Sequence, residues 1–406
     1  MDDIVNNYFL KSKDFILAEF SLKRIKEVNF GITSYEYSIE IKQIYTEYTN
    51  LFPKNLGSNF DGKKLLRWIN HRKVPKNRQF VDKLLTAIDD DNPMKYVDIS
   101  HALSLNDAYW VSNVLDTGAW KDYNLYDHPF DEILSYVAFT GYSRKISGVR
   151  TTPELTSSGM LKKCWSNRPN GIVLVKGDDF IKREDKRSQA TLEFYAAQVA
   201  EAMGLNHIDY DLEEFKHHNN ERELVCTCPI FTTEDVGFVD AATCLKAKGI
   251  DIEDIDLSSF KAHIKIGEIL GWEAYADMML FDSIIANQDR HLGNFGMLVD
   301  NNTGEFIKMA PIFDNGFSLF YGASVADLQK ENLEAYKQSL RCKYLSLDTQ
   351  TLWFVAERHL PKLRKLLNFT FARHPKYNIS EETLKLMENF VQERARRAIE
   401  LYHEKE

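Results

Sequence analysis

The sequence predicts an α+β protein with two lobes, preceded by a largely helical N-terminal region. Three observations carry this. A short β-branched run, Gly171-Ile-Val-Leu-Val-Lys176, is followed by a stretch of helical spacing and then a second apolar run, Leu224 to Phe231, so strand, helix and strand succeed one another. From about Ser258 onward helical spacing dominates. The chain has 406 residues, too many for one small core. The expected division is residues 1–140, a mainly helical region; 141–240, the strand-containing lobe; and 241–406, the helical lobe.

In the first region, Phe80, Val81, Leu84, Leu85 and Ile88 recur at helical spacing, and Asp89-Asp-Asp-Asn-Pro93 ends that helix. Lys63 to Arg78 holds seven Lys or Arg and no acid, with Trp68 among them. A surface for an acidic partner and a solvated helix face both fit, and the solvated face is the simpler reading. Ser143 to Gly159 is polar and loop-like. Gly171 to Lys176 reads as a buried strand. Ser188 to Met203 carries Leu192, Tyr195, Ala196, Val199 and Met203 at helical spacing, with Gly204 as C-cap. Ala274, Met278, Phe281 and Ile285 mark a buried helical stripe. Phe295, Met297 and Val299 then alternate, Asp300 to Gly304 turns, and Phe306 to Met309 returns as a hairpin. Two further helices are expected in the tail, the last with Ser380 as N-cap and Glu381 and Glu382 in its first turn.

Composition excludes several classes. A net charge of -9 gives no global basic field for gripping nucleic acid. The N-terminus lacks the basic and apolar regions of a signal peptide, and no run of about 18 apolar residues is present. Five scattered cysteines point to a reduced, cytoplasmic protein. Cys226 and Cys228 alternate on a strand and have no second pair at metal-ligand spacing, so they read as structural thiols.

The chemistry concentrates in Asn287-Gln-Asp-Arg-His-Leu-Gly-Asn294 and Ile312-Phe-Asp-Asn-Gly316. Phosphoryl transfer needs one carboxylate to orient the acceptor hydroxyl and take its proton. It also needs an amide oxygen and a second carboxylate to hold Mg²⁺ against the ATP phosphates. Protein kinases place the base and the Asn five residues apart on one loop and the metal Asp beyond a hairpin. Asp289 and Asn294 are five apart, and Asp314 follows the hairpin. Asp289 is the candidate base, Asn294 and Asp314 the candidate metal ligands, and His291 joins the candidate nucleotide contacts. Gly316 is expected to let the backbone turn freely beside the metal.

The ATP-binding half falls upstream in the same order. Lys176, at a strand end, is placed to neutralise phosphates, with Glu193 on the next helix to pair with it; Glu201, two turns on, is the rival. Leu155-Thr-Ser-Ser-Gly-Met160 is the candidate phosphate loop through Ser157, Ser158 and Gly159, and Lys163 is a second phosphate contact. Phe231-Thr-Thr-Glu234 follows the second strand. Phe231, Thr233 and Glu234 are candidates for the adenine-facing hinge, with an ordinary linker as the equal alternative.

Asn287 to Asn294, Ala310-Pro-Ile-Phe-Asp314 and Thr152-Pro-Glu-Leu-Thr-Ser-Ser-Gly159 together resemble the HipA-like serine/threonine kinases of bacteria, in particular their CtkA-like members. The resemblance covers roughly residues 95–370 and implies a kinase-like fold related also to phosphoinositide kinases. It implies ATP and Mg²⁺ as cofactors, Asp289 as base, Asn294 and Asp314 on the metal, and Lys176 on the phosphates. It further implies autophosphorylation of Ser157 or Ser158 as an off-switch. A protein substrate and an antitoxin-type partner, as in a toxin–antitoxin system, come with it; direct nucleic-acid or membrane binding does not. A lipid or small-molecule kinase, and a non-catalytic kinase-fold module, are the alternatives. All three chemical residues being present argues against the last.

Overall fold

A computed structural model describes residues 4–29, 32–57, 59–72, 93–128, 130, 135–136, 139–140, 162–178, 183–217 and 219–405. The architecture is α+β, and the chain divides into two compact units. The first comprises residues 1–175, 232–239 and 298–307; the second comprises residues 176–231, 240–297 and 308–406.

The first unit opens with strands, which corrects the expectation of a mainly helical N-terminal region. β1 (Ile4–Ser12), β2 (Phe15–Asn29) and β3 (Ile32–Ile44) form an antiparallel meander. α1 (Gly62–His71) and α2 (Pro93–Ser100) follow, and β4 (Tyr109–Asn113) pairs antiparallel with β1, giving the order β3-β2-β1-β4. The physical reason is period-two patterning. Tyr8 and Leu10 on β1, and Phe20 and Leu22 on β2, reach one face, where they are buried with Leu65, Trp68 and Ile69 of α1 and Tyr96 and Val97 of α2. Gly62 starts α1 because a Cβ there would lie 1.8 Å from the Ile39 carbonyl oxygen. The helix predicted around Phe80 to Ile88 lies outside the described residues.

Within the basic run, Lys63, Lys64 and Arg67 are exposed while Leu65, Trp68 and Ile69 of the same helix are buried, as a solvated face requires. Arg72 serves packing instead. It binds Asp107 through two nitrogens at 2.8 and 2.9 Å and lies over the Trp68 ring. A one-turn helix, α3 (Trp120–Tyr123), and the hairpin of β5 (Lys163–Arg168) and β6 (Gly171–Lys176) follow. Three more strands, Val236–Asp240, Gly296–Asp300 and Phe306–Met309, form a three-stranded sheet with Gly296–Asp300 in the centre.

The second unit holds the long helices. α4 (Gln189–Ala202) begins at Ser188, whose Oγ accepts the Thr191 N–H, and is followed by Gly204 in the left-handed region at φ 65°. The hairpin of β7 (Asp211–Lys216) and β8 (Arg222–Pro229) comes next. Then come α5 (Ala241–Ala247), α6 (Phe260–Leu270) and α7 (Trp272–Ile285). α7 is buried almost all round from Tyr275 to Ile285, beyond the single stripe its sequence spacing suggested. The tail contains four helices where two were expected: α8 (Lys330–Ser339), α9 (Leu347–Phe354), α10 (Leu360–Leu366) and α11 (Glu381–Lys405). Ser380 Oγ accepts the Thr383 N–H at the head of α11, as predicted. All five cysteines are buried and outside any disulfide. Among the described residues no helix is long and apolar enough to cross a membrane.

Candidate active site

The site in the second unit grows from the end of α7. Ala286 takes a left-handed backbone, φ 54°, and stops the helix. Asn287 then makes a local turn, its Oδ1 accepting the Asp289 N–H at 3.0 Å. Its Nδ2 donates to Asp282 Oδ1 at 3.0 Å, tying the loop back to the helix.

Arg290 is the residue on which the loop is built. It is 3% exposed and pairs with fully buried Asp282 through Nε and Nη2, at 2.9 and 3.0 Å. Its Nη1 donates to the carbonyls of Asn294 and Phe313, at 3.0 and 2.6 Å, and its Nη2 to Asn315 Oδ1 at 2.6 Å. One guanidinium therefore joins the Asn287–Asn294 loop to the Phe313–Asn315 turn. Burial alone would push Arg290 down, but the Asp282 carboxylate outweighs it and raises the pKa. Sequence reasoning gave Arg290 no role. Only an Arg placed eight residues after a buried helical Asp signals it.

Asp289 is 42% exposed, so its carboxylate is accessible, and Oδ1 accepts from Lys343 Nζ at 2.8 Å. Asn294 donates Nδ2 to the Asp289 carbonyl at 3.0 Å, which fixes the amide and makes Oδ1 its acceptor end. His291 is exposed, and its Nδ1 accepts the Gly293 N–H at 3.1 Å.

Lys176, at the end of β6, donates to Glu193 Oε1 and to Asp314 Oδ1, both at 2.6 Å. This resolves the choice of partner: Glu193 is 1% exposed in the site, and Glu201 lies on an exposed position of α4. Glu193 Oε2 also accepts the Asn315 N–H at 2.7 Å, so one carboxylate ties the lysine to the turn. Burial would lower the lysine, but Asp314 and Glu193 hold it well above the ordinary range. Burial, opposed by Lys176, pushes the Glu193 carboxyl up. Burial likewise raises the Cys226 thiol well above its usual value, consistent with an inert structural thiol.

Asp314 itself sits at φ 61°, a left-handed conformation that Asp tolerates better than most residues. Gly316 is needed for a different reason from the expected one. Its φ is not left-handed, but a Cβ there would stand 2.8 Å from the Gln189 carbonyl oxygen at the start of α4. Phe313 stacks on Phe231, with ring centroids 5.5 Å apart.

The donor set suits Mg²⁺. It offers one half-exposed carboxylate, Asp314, and one oriented amide oxygen, Asn294, both hard ligands. Among the described residues no group of three or more His, Cys, Asp or Glu could hold a metal by itself.

Lys163 lies on β5 and Thr233 and Glu234 in the 232–239 segment, all in the first unit. Thr233 exchanges backbone hydrogen bonds with Val236, at 2.9 and 3.2 Å, and Glu234 Oε2 accepts from Trp120 Nε1 at 3.2 Å. Ser157, Ser158 and Gly159 lie outside the described residues.

Residues 141–366, more than half of the chain, match the family model described as the HipA-like C-terminal domain. The Helicobacter pylori (strain J99 / ATCC 700824) serine/threonine-protein kinase CtkA is 30% identical over 150 residues. The match spans 34% of this chain and 43% of CtkA, so less than half of that relative is covered. The crystal structure of the H. pylori proinflammatory kinase CtkA aligns at 19% identity and TM-score 0.43, covering 61% of this chain and 92% of that one. The HipA of Shewanella oneidensis MR-1, solved with HipB and operator DNA, aligns at 13% identity and TM-score 0.50 over 98% of this chain and 99% of the other, a likeness of fold. The extent of the domain match, over the same residues that carry the Arg290-centred site, makes this chain a member of the HipA-like C-terminal domain family.

Proposed function

We propose that this chain is a Mg-ATP-dependent serine/threonine protein kinase. The observation that carries the reading is the single ammonium of Lys176 shared at 2.6 Å between Glu193 and Asp314. A buried lysine set by a helix carboxylate against a turn aspartate is the arrangement that phosphoryl transfer from ATP uses. Lys176 binds the phosphates of ATP, and Glu193 keeps it aimed. Asn294 and Asp314 hold Mg²⁺, which when bound neutralises charge on the phosphates. Asp289 orients the acceptor hydroxyl. The hydroxyl oxygen forms the new bond to the γ-phosphorus and its proton passes to Asp289. The bond to the bridging oxygen breaks, and its electron pair stays on ADP.

The finer features follow from the same reading. Ser157 or Ser158 is the self-modified residue, where a phosphate would repel the phosphates of ATP. An antitoxin-type protein partner is supported by the HipA neighbour being solved with HipB. With a net charge of -9, this chain would leave DNA contact to such a partner.

The test is incubation with radiolabelled ATP and Mg²⁺, followed by intact-mass and peptide mapping. The wild-type chain should gain phosphate on Ser157 or Ser158. Asp289→Asn should keep Mg-ATP binding and lose transfer by roughly a thousandfold. Full transfer by that variant would remove Asp289 from the role, and phosphate found only outside the 155–160 loop would reject the switch.

A further inference from the structure

We propose that Lys343 is a second catalytic cation, on the acceptor side of the site, which steadies Asp289 by one oxygen and donates to the phosphoryl group as it reaches the acceptor hydroxyl. The inference rests on the phosphotransfer reading above.

Lys343 Nζ lies 2.8 Å from Asp289 Oδ1, and the two side chains are 37% and 42% exposed. A pair so open to water adds little to folding, because solvent screens it. Yet the chain presents this lysine on a built element. Cys342 donates its N–H to the Leu345 carbonyl at 2.9 Å, and Arg341 bridges Ser346, so Lys343 and Tyr344 form the tip of a closed turn. Leu340, Cys342 and Leu345 on its flanks are buried. Ser346 caps α9, its Oγ accepting the Thr349 N–H at 3.1 Å.

α9 is fastened to α7, the helix that delivers the Asp289 loop. Gln350 Nε2 donates to the Met279 carbonyl at 2.7 Å, and Thr351 Oγ1 to Ser283 Oγ at 2.8 Å. The cation and the carboxylate thus stand on adjoining ends of two joined helices. Catalytic groups are held this way, on rigid supports, whereas a solvated surface lysine has no such need.

The chemistry suits this position. Lys343 occupies Oδ1 of Asp289, which leaves Oδ2 for the acceptor hydroxyl. As that hydroxyl gives up its proton, the carboxylate loses charge and holds the ammonium less. At the same moment negative charge lies on the oxygens of the phosphoryl group in transit. An ammonium with three donors on a flexible stem serves both partners in turn. Lys176 acts from the Glu193 and Asp314 side, and Lys343 acts from the Asp289 side.

The experiment uses the full chain with Lys343→Met, Lys343→Gln and Lys343→Arg. It measures self-phosphorylation and transfer to dephosphorylated casein against Mg-ATP concentration, with the Mg-ATP shift in Tm recorded in parallel. For Met and Gln the expected result is a kcat lower by roughly a hundredfold. KM for Mg-ATP and the shift in Tm should stay within about twofold, and Arg should recover much of the loss. Wild-type kcat in the Met and Gln variants overturns the inference and leaves the kinase reading standing. Loss of the Mg-ATP shift together with kcat in both variants overturns it in favour of a structural role. A wild-type chain that transfers phosphate to neither acceptor overturns the kinase reading and this inference together.

Discussion

At the scale of single residues, the Lys176 end of the site sets a cation against a buried carboxylate. Glu193 is nearly fully buried, and Lys176 is the cation on its Oε1. Lys176→Met should therefore abolish Mg-ATP binding and also destabilise the chain by about 3 kcal/mol, because a buried carboxylate loses its partner. Adding Glu193→Gln should restore much of that stability and none of the binding. Urea unfolding of the two variants distinguishes the outcomes.

A second cluster tests the same physics away from the site. Burial would raise the Asp277 carboxyl, but bonds from His359, Lys362 and Arg358 outweigh it and hold it well below the usual range. A carboxyl depressed in the folded state contributes stability that is complete above its unfolded value, near 3.9, and is lost as pH falls through the folded value. Asp277→Asn should thus cost about 2 kcal/mol at neutral pH. Unfolding measured at a series of pH values should find that gap closing below roughly pH 4. A gap that stays the same size from pH 5 down to pH 2 would mean Asp277 acts through packing alone.

At the scale of elements, the Asp314 turn passes so close to the head of α4 that position 316 has no room for a side chain. Gly316→Ala would push a methyl group against the Gln189 backbone, which cannot yield without moving the head of α4. The expected cost is about 1–3 kcal/mol together with a weaker Mg-ATP response, since Glu193 rides on that helix. Thermal melts with and without Mg-ATP read both effects.

The elements also mark how much was legible in the sequence. β6, α4, α7 and the hairpin after Asn294 were readable, because each announces itself by local periodicity and a local cap. Asp289, Asn294 and Asp314 stand out in the sequence because their spacing is a local pattern, and their roles are those proposed above. Arg290 and Lys343 were not. Their partners, Asp282, Asn315 and Asp289, lie 8, 25 and 54 residues away, and no local pattern encodes such meetings. The N-terminal strands had a signal that went unread. Tyr35, Tyr37, Ile39 and Ile41 alternate along β3, and the helical spacing near Phe80 was extended over them.

At the scale of the whole molecule, ligand binding should appear as stability. Mg-ATP at about a hundred times its dissociation constant adds roughly 2.7 kcal/mol to the state that binds it. The wild-type chain should melt higher with Mg-ATP than with ATP in the presence of EDTA. In Asp314→Ala that metal-dependent difference should vanish. An unchanged difference would count against Asp314 as a ligand.

Arg290 closes hydrogen bonds to Asp282, Asn294, Phe313 and Asn315 with a single planar group. The loop at Arg290 and Asn294 and the Phe313–Asn315 turn cannot separate without breaking several of these at once. Their amides should consequently behave as one cooperative unit. The N–H groups of Gln288, Asn294, Asn315 and Leu319, bonded to Phe317, His291, Glu193 and Ile285, would then exchange with solvent deuterium at a common opening free energy. In Arg290→Lys that shared value would split into separate ones, because an ammonium cannot span the same set of acceptors.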